Sequence, residues 1–462
     1  MWQKRGMNSN AQQIKTNNLA RDIEAFLQKA LESVENEDIE PQKGVGRKKI
    51  LPSLVLWSGV VVAVLRGFKS QLDVWRLVSW TGFWHHPQYR VSDQAVYNRL
   101  EAGGSDYLYD LFCRVRDGLK EKLAAYAQTQ IAPFATGVYA IDGSTLDKVA
   151  RHLPKLREVP DGDSRLLPGK LVGLFDIRLQ QWVEMMYLSN PNQNDRTVAL
   201  ELAQNLPKGS LILADLGFFG FKWFDQLTDY NMWWVSRLRN KTTYEVIHTF
   251  YQDGDLFDGV VWLGKYRADR AAHAVRLVTF TIGRTHFRYI TNVLDPQRLS
   301  LHEIAVLYAR RWDIELAFKM IKRHLNLHIL WSAKSEIILQ QVWSVLIIAQ
   351  ILHAFQMEVA GLAQVDPFDV SLDLITRYVP RLVAEGKNPV QMIVEGGRDF
   401  GFIRPSRRIR PKTPPVNLRD IVPLPPDTVL VRKPRYAQRR CKPVVPVPAT
   451  SPKGINWFPW LC

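Results

Sequence analysis

Four short strand-forming runs constrain this chain more than any other feature. They are GVYAID (137–142), KLVGLFDIRL (170–179), QWVEMMYLS (181–189) and SLILAD (210–215). The first three are apolar or alternating and follow one another as a meander would. The fourth is wholly apolar and lies between two helical patterns, Asp195 to Leu206 and Phe221 to Tyr230. A further strand, MWWVSRL (232–238), follows the second of these. Three strands, helix, strand, helix, strand is an order that only a mixed α/β sheet accommodates.

The flanking sequence has a different texture. Upstream, helical spacing predicts Leu19–Val34, Leu51–Phe68, Gln71–Trp80, Ser92–Ala102 and Tyr107–Tyr126, with a basic linker at 43–49 and Ser92 and Asp93 as an N-cap. Downstream, Thr242 to Val293 is rich in Val, Tyr, Phe and Thr and reads as all-β. A helix is expected from His302 to about Leu327, and an almost wholly apolar one from Glu336 to about Gly361. The expected organisation is a helical region over 1–130, an α/β domain over 131–335 with a β insertion at about 242–293, a second helical region over 336–400, and a tail over 401–462. No internal repeat is present.

Charge separates the tail from the rest. The 462 residues carry a formal net charge of +16, which points to a polyanionic partner. Residues 401–462 alone hold 13 Lys or Arg against 2 Asp, and 13 of the 26 prolines. Such a segment is expected to be poorly ordered and to add non-specific affinity. The three cysteines, Cys113, Cys441 and Cys462, show no ligand or disulfide spacing, which fits a reducing cytosol. The uncharged run Ile50–Leu65 contains Pro52 and is shorter than the roughly 20 residues a membrane span needs. A buried helix and a cytoplasmic, nucleoid-associated protein without membrane contact are expected.

Two of the strands end on carboxylates, Asp142 and Asp215. An ionised carboxylate is costly inside a sheet, and strand ends are where ligands of α/β sheets gather. Asp–Gly after a strand is equally the sequence of an ordinary turn. The helix after the insertion is more informative. At 100° per residue, Tyr308, Arg311, Glu315, Lys319 and Lys322 share one stripe, while Leu307, Ile314, Ala317, Phe318, Ile321 and Leu325 form a separate packing stripe. The first stripe suits phosphate chemistry, with one carboxylate to complete a metal site and cations to clamp a backbone. It also suits a solvated face paired as Arg311–Glu315 and Glu315–Lys319.

The spacing Tyr308, Arg311, Glu315, Lys322 resembles the Tyr-Arg-Glu-Lys motif of one large group of insertion-sequence DDE transposases. Asp215-Leu-Gly217-Phe-Phe219 resembles the group's Asp-x-Gly-x-aromatic block, and AIDGSTLD its strand-borne first Asp. The resemblance covers about 130–360. It implies a ribonuclease-H-like mixed sheet with a β-rich insertion between second Asp and Glu, accompanied here by an N-terminal helical domain that binds DNA ends. It implies metal-dependent DNA cleavage and strand transfer at the ends of an insertion sequence. Asp142, Asp215 and Glu315 would hold two divalent ions, magnesium or manganese. Tyr308, Arg311, Lys319, Lys322 and Arg237 would contact phosphates. Phe287 would stand where relatives that cut through a hairpin place a Trp that stacks on a flipped base, and it is equally placed to be a core strand residue. The implied partners are double-stranded DNA, as terminal inverted repeats and target, and a second copy of the chain on paired ends.

Other readings remain open at this point. Gln71–Trp80 with Ser92–Ala102 could form a helix-turn-helix that offers Ser92, Gln94, Asn98 and Arg99 to DNA, or could be two ordinary amphipathic helices. Lys148, Arg151, His152, Lys155 and Arg157 form a basic loop after the first Asp that could track a DNA backbone or simply be solvated. No HExxH, GxxxxGK[ST] or GxSxG is present, so zinc hydrolysis, a nucleotide cofactor and a serine nucleophile are not expected. Two alternatives compete with the transposase: a ribonuclease-H-like nuclease that cuts without joining, and a DNA-binding regulator or ribosome-associated protein whose acids are structural.

Overall fold

The computed structural model describes residues 27–31, 50–84, 86–146, 169–266, 268–332, 334–406 and 411–436. The helices in chain order are α1 (Ser53–Leu65), α2 (Gln71–Arg76), α3 (Asp93–Ala102), α4 (Asp106–Leu123), α5 (Arg196–Gln204), α6 (Phe221–Asp229), α7 (Leu301–Arg310), α8 (Trp312–Lys319), α9 (Ser335–Ala363), α10 (Leu372–Ala384) and α11 (Pro389–Gly396). The strands are β1 (Val138–Thr145), β2 (Lys170–Asp176), β3 (Gln181–Leu188), β4 (Leu211–Ala214), β5 (Trp233–Arg237), β6 (Tyr244–Asp253), β7 (Leu256–Leu263), β8 (Val275–Ile282) and β9 (Thr285–Thr291).

All nine strands form one sheet in the order β3-β2-β1-β4-β5-β9-β8-β7-β6. The first three are an antiparallel meander, and β4 and β5 then add parallel to β1 through α5 and α6. β4 is only LILA, buried at every position, as a parallel strand covered on both faces must be. The insertion extends this sheet rather than forming a separate layer. Its last strand, β9, returns antiparallel against β5, so the chain re-enters the sheet one strand away from β4.

The pleat sorts the core. Val138, Ala140, Leu211, Leu213 and Val235 enter one apolar cluster, while Tyr139, Ile141, Ile212, Ala214 and Trp234 enter the other. α5 and α6 cover the second face. The first is covered by α7, α8 and the 29-residue α9, which is mostly apolar and buried around its whole circumference. α9 also packs against α1, α3 and α4 on one side and α10 and α11 on the other. The N-terminal and C-terminal helices therefore share one core built on α9. Among the described residues α9 is the one helix long and apolar enough to cross a membrane, and 94% of its apolar window is buried inside the protein.

Local signals explain most boundaries. Ser92 caps α3 by accepting from Ala95 N at 3.2 Å. Ser300 and Glu303 make a capping box at α7, each satisfying the other's backbone N–H. α1 is the buried helix expected of the uncharged run. The helix expected over 302–327 is instead three pieces: α7, α8, and a π-helical turn at Met320–His324 that shifts the stripe beyond Lys319.

Two expectations are corrected. Between α2 and α3 lie a π-turn (Leu77–Thr81) and an irregular stretch over 82–92, far longer than the turn of a helix-turn-helix. Arg99 meanwhile donates to Leu51 O and Ser53 Oγ, so it braces α1 rather than facing outward. The tail is the second correction, because residues 411–436 form an extended strap on the insertion. Arg432 donates to the carbonyls of Leu263, Gly264 and Ala271, with its guanidinium 4.5 Å from the Trp262 ring centre. Ile421, Leu424 and Leu430 pack against Phe250, Val260, Trp262 and Ala274, and the Tyr436 hydroxyl donates to Asp225 at 2.9 Å. Proline prevents regular structure but not packing, since a strap needs only side-chain anchors and a few backbone bonds. The basic loop 148–157, most of Leu19–Val34, the 43–49 linker and residues 437–462 lie outside the described residues.

Candidate active site

Register brings the two aspartates together. Ile141 pairs with Ala214 across the parallel β1–β4 ladder, so Asp142 and Asp215 come next on strands about 4.8 Å apart. Ile141 and Ala214 both face the α5–α6 side, so the following residues turn to the side covered by α8, the helix that carries Glu315. Each aspartate is held by its own backbone: Asp142 Oδ1 accepts from Gly143 N at 2.8 Å and Asp215 Oδ1 from Gly217 N at 2.7 Å.

Arg311 occupies the space among these groups. Its Nη1 lies 2.8 Å from Glu315 Oε1 and 3.7 Å from Asp142 Oδ2. Burial pushes the Asp142 carboxyl up to about 7, and the negative charges of Asp215 and Glu315 add to the shift against the Gly143 N–H and Arg311. Asp142 and Glu315 share one arginine and Asp215 lies on the neighbouring strand, an oxygen-donor set whose chemistry suits hard divalent cations. Among the described residues no three His, Cys, Asp or Glu side chains stand close enough to enclose one ion.

The remaining expected residues divide. Tyr308 is buried with its ring 5.2 Å from Tyr289 of β9, so it belongs partly to the packing face. Burial raises its phenol, and Arg311 and Arg237 oppose that shift. Arg237 ends β5 opposite Tyr289 and so joins the group. Lys322 donates to Thr145 O at the end of β1, and Lys319 is exposed one turn beyond Glu315. Phe287 stacks on Phe280 at 5.2 Å and near Tyr289 at 6.2 Å, as one rung of an aromatic ladder that reaches Tyr308 through Tyr289.

Sequence reasoning missed several supports. Asp195, read only as a helix start, pairs with Lys170 and presses on Gly143, where an added Cβ would lie 2.5 Å from Asp195 Oδ2. The glycine after Asp142 thus lies within the strand and against Asp195, not in a turn. Arg239 donates to Leu216 O at 3.1 Å and lies over Phe219, while Arg196 donates to Phe219 O, so two arginines brace the Asp215 loop. Trp312 and Leu316 stand exposed beside the site on α8. Only Trp312 left a trace in the sequence, as an aromatic off the packing stripe.

A sheet ordered 3-2-1-4-5, with one carboxylate on β1, one directly after β4 and one on a helix that packs on β1, is the ribonuclease-H-like arrangement. Residues 134–351 match the family model described as the transposase DDE domain. Relatives include the "Putative transposase for insertion sequence element IS4SA" of Synechocystis sp., 27% identical over 33% of this chain and 44% of its own length. The transposase for insertion sequence element IS231B of Bacillus thuringiensis subsp. berliner is 23% identical over 33% of this chain and 32% of its own. The chain thus spans less than half the length of the curated relatives it matches. A piggyBac transposase synaptic complex with hairpin DNA superposes at a TM-score of 0.39 with 10% identity, over 84% of this chain and 83% of that one. The fold assignment rests on the sheet order instead.

Proposed function

We propose that this chain is a DNA transposase of the Tyr-Arg-Glu-Lys group, which cuts the ends of an insertion sequence and joins them to target DNA. The observation that supports this most is the register Ile141–Ala214, after which Asp142 and Asp215 follow side by side where the β1–β4 ladder ends. Asp142, Asp215 and Glu315 would hold two magnesium or manganese ions. Ions so held would supply activation of the attacking oxygen and stabilisation of the leaving one. Asp142 and Asp215 are pre-aligned by the Gly143 and Gly217 N–H groups, each leaving one carboxylate oxygen for this work. Arg237, Arg311, Lys319 and Lys322 would grip phosphates near the scissile bond through charge-assisted contacts, and Tyr308 through its hydroxyl. The partners are double-stranded DNA and a second copy of the chain on paired ends.

A plasmid bearing the element's own ends and a separate target tests this reading. The intact chain should give both cut and joined products in magnesium, and Asp142→Ala, Asp215→Ala or Glu315→Ala should each give neither while still binding the ends. Cutting without joining would favour the nuclease, and near-normal cutting by any one variant would remove that residue from the site.

A further inference from the structure

Arg311 is unusually placed for a residue that grips DNA. Its side chain is only 8% exposed, and the guanidinium lies 5.7 Å from the ring centre of Tyr308 and 5.4 Å from that of Trp312. One terminal nitrogen serves two carboxylates at once, at 2.8 Å to Glu315 and 3.7 Å to Asp142. Nε is buried with no hydrogen-bond partner. An arginine held for structure uses its fork fully, because an unpaired buried N–H costs free energy. Its neighbour Arg310 does so, donating to Asp313 at 2.8 Å, Gln128 at 2.9 Å and Ile177 O. Arg311 therefore sits in a position that neutralises the carboxylates while leaving part of its own hydrogen-bonding capacity unmet.

The geometry points to Arg311 as a resident counter-ion that stands in for divalent metal between Asp142 and Glu315 until DNA draws it away. This rests on the proposed carboxylate site. With Arg311 in place, an ion entering between these two groups must displace a positive charge from its ligands. A phosphate oxygen at the site offers the guanidinium a fresh partner, Nε included, and releases Glu315 and Asp142 to the metal. Metal and DNA binding are then coupled, each favouring the other by the same factor. The chain alone would hold metal weakly, and loading would wait for a bound end.

The test measures manganese binding to the full chain without cleavage, by calorimetry and by the paramagnetic resonance signal of free Mn²⁺. Four proteins are compared: wild type, Arg311→Gln, Arg311→Lys, and Arg311→Gln combined with Asp142→Ala. Without DNA, Arg311→Gln should bind Mn²⁺ about tenfold more tightly than wild type, the equivalent of one lost charge-assisted contact. Arg311→Lys keeps the charge on a different stem and should stay near wild type. That contrast holds even if the glutamine variant loses some stability, since the lysine variant shares the cavity and not the gain. A duplex carrying the element's end should tighten wild-type binding and leave Arg311→Gln almost unchanged. If Arg311→Gln binds no more tightly than wild type while Asp142→Ala still abolishes its binding, the metal site stands and the counter-ion role falls. If Asp142→Ala leaves the binding intact, the ion lies elsewhere and both readings fall.

Discussion

Two arginine–carboxylate arrangements in this molecule do opposite things. In the insertion, Arg276 of β8 meets Asp258 of β7 with two parallel contacts of 2.6 and 2.7 Å, adds the Leu299 carbonyl, and leaves neither side chain open to solvent. At the carboxylate cluster, Arg311 splits one nitrogen between two acids and leaves Nε unpaired. The first is closed: each guanidinium nitrogen has a partner, and its loss would strand a buried charge. The second is open: two carboxylates share one guanidinium nitrogen and the arginine has capacity to spare. Ion pairs that hold the fold and ion pairs that do chemistry are told apart here by saturation, not by distance.

The largest expected effect is on the closed side. Arg276→Ala should cost about 3–5 kcal/mol of stability by leaving Asp258 buried and alone, read by chemical denaturation. Replacing both partners with apolar residues of similar volume should recover much of that loss. A cost for Arg276→Ala below about 1 kcal/mol would erase the distinction.

On the open side the sign reverses. Asp142 has a folded value of about 7 against an ordinary 3.8, so between those limits the folded state holds more protons than the unfolded one. Its contribution to stability is therefore fully present below pH 4 and is lost as pH rises through 7. Asp142→Asn removes the titration and should stabilise the metal-free protein at pH 8 by on the order of 2 kcal/mol relative to wild type, with little gain near pH 4. A gain of equal size at both pH values would mean that packing, not charge, is responsible.

How far these regions were legible differs for physical reasons. Asp215 at the end of its strand and the stripe through Glu315 were readable, because pleat and helix periods are local; Asp142 was read as a strand end, whereas β1 runs on to Thr145 through its pairing with β2. The meander and its alternation with α5 and α6 followed from element order. The insertion was legible as β structure, but not its merger into a nine-stranded sheet, since that depends on the β5–β9 pairing between residues more than fifty positions apart. Gly143 read as a turn because nothing local reveals that Asp195 lies against it. The strap read as a loose tail because proline content reports the absence of helix and strand, not the absence of anchors such as Arg432 and Tyr436.

Smaller effects sharpen the same contrast. The strap belongs to the closed side, so Arg432→Ala should cost about 1–2 kcal/mol through three carbonyl contacts and the stack on Trp262, without altering DNA affinity. A change in DNA binding with unchanged stability would move Arg432 to the functional side. Lys319 is exposed on the open side. Lys319→Ala should leave stability within about 0.5 kcal/mol and weaken DNA binding alike for all sequences, lowering the slope of log affinity against log salt by about 1. An unchanged slope would show that Lys319 meets no phosphate.

The central claim is that Asp142, Asp215 and Glu315, from three separate elements, share one metal site. Ferrous iron can replace magnesium at an oxygen-lined site, and with ascorbate and peroxide it cuts the polypeptide next to wherever it is bound. Mass spectrometry of the end-bound full chain after such treatment should find cuts clustered near residues 142, 215 and 315. All three should vanish together in Asp215→Ala and compete away with magnesium. Cuts at only one of these positions, or a pattern indifferent to Asp215→Ala, would contradict a shared site.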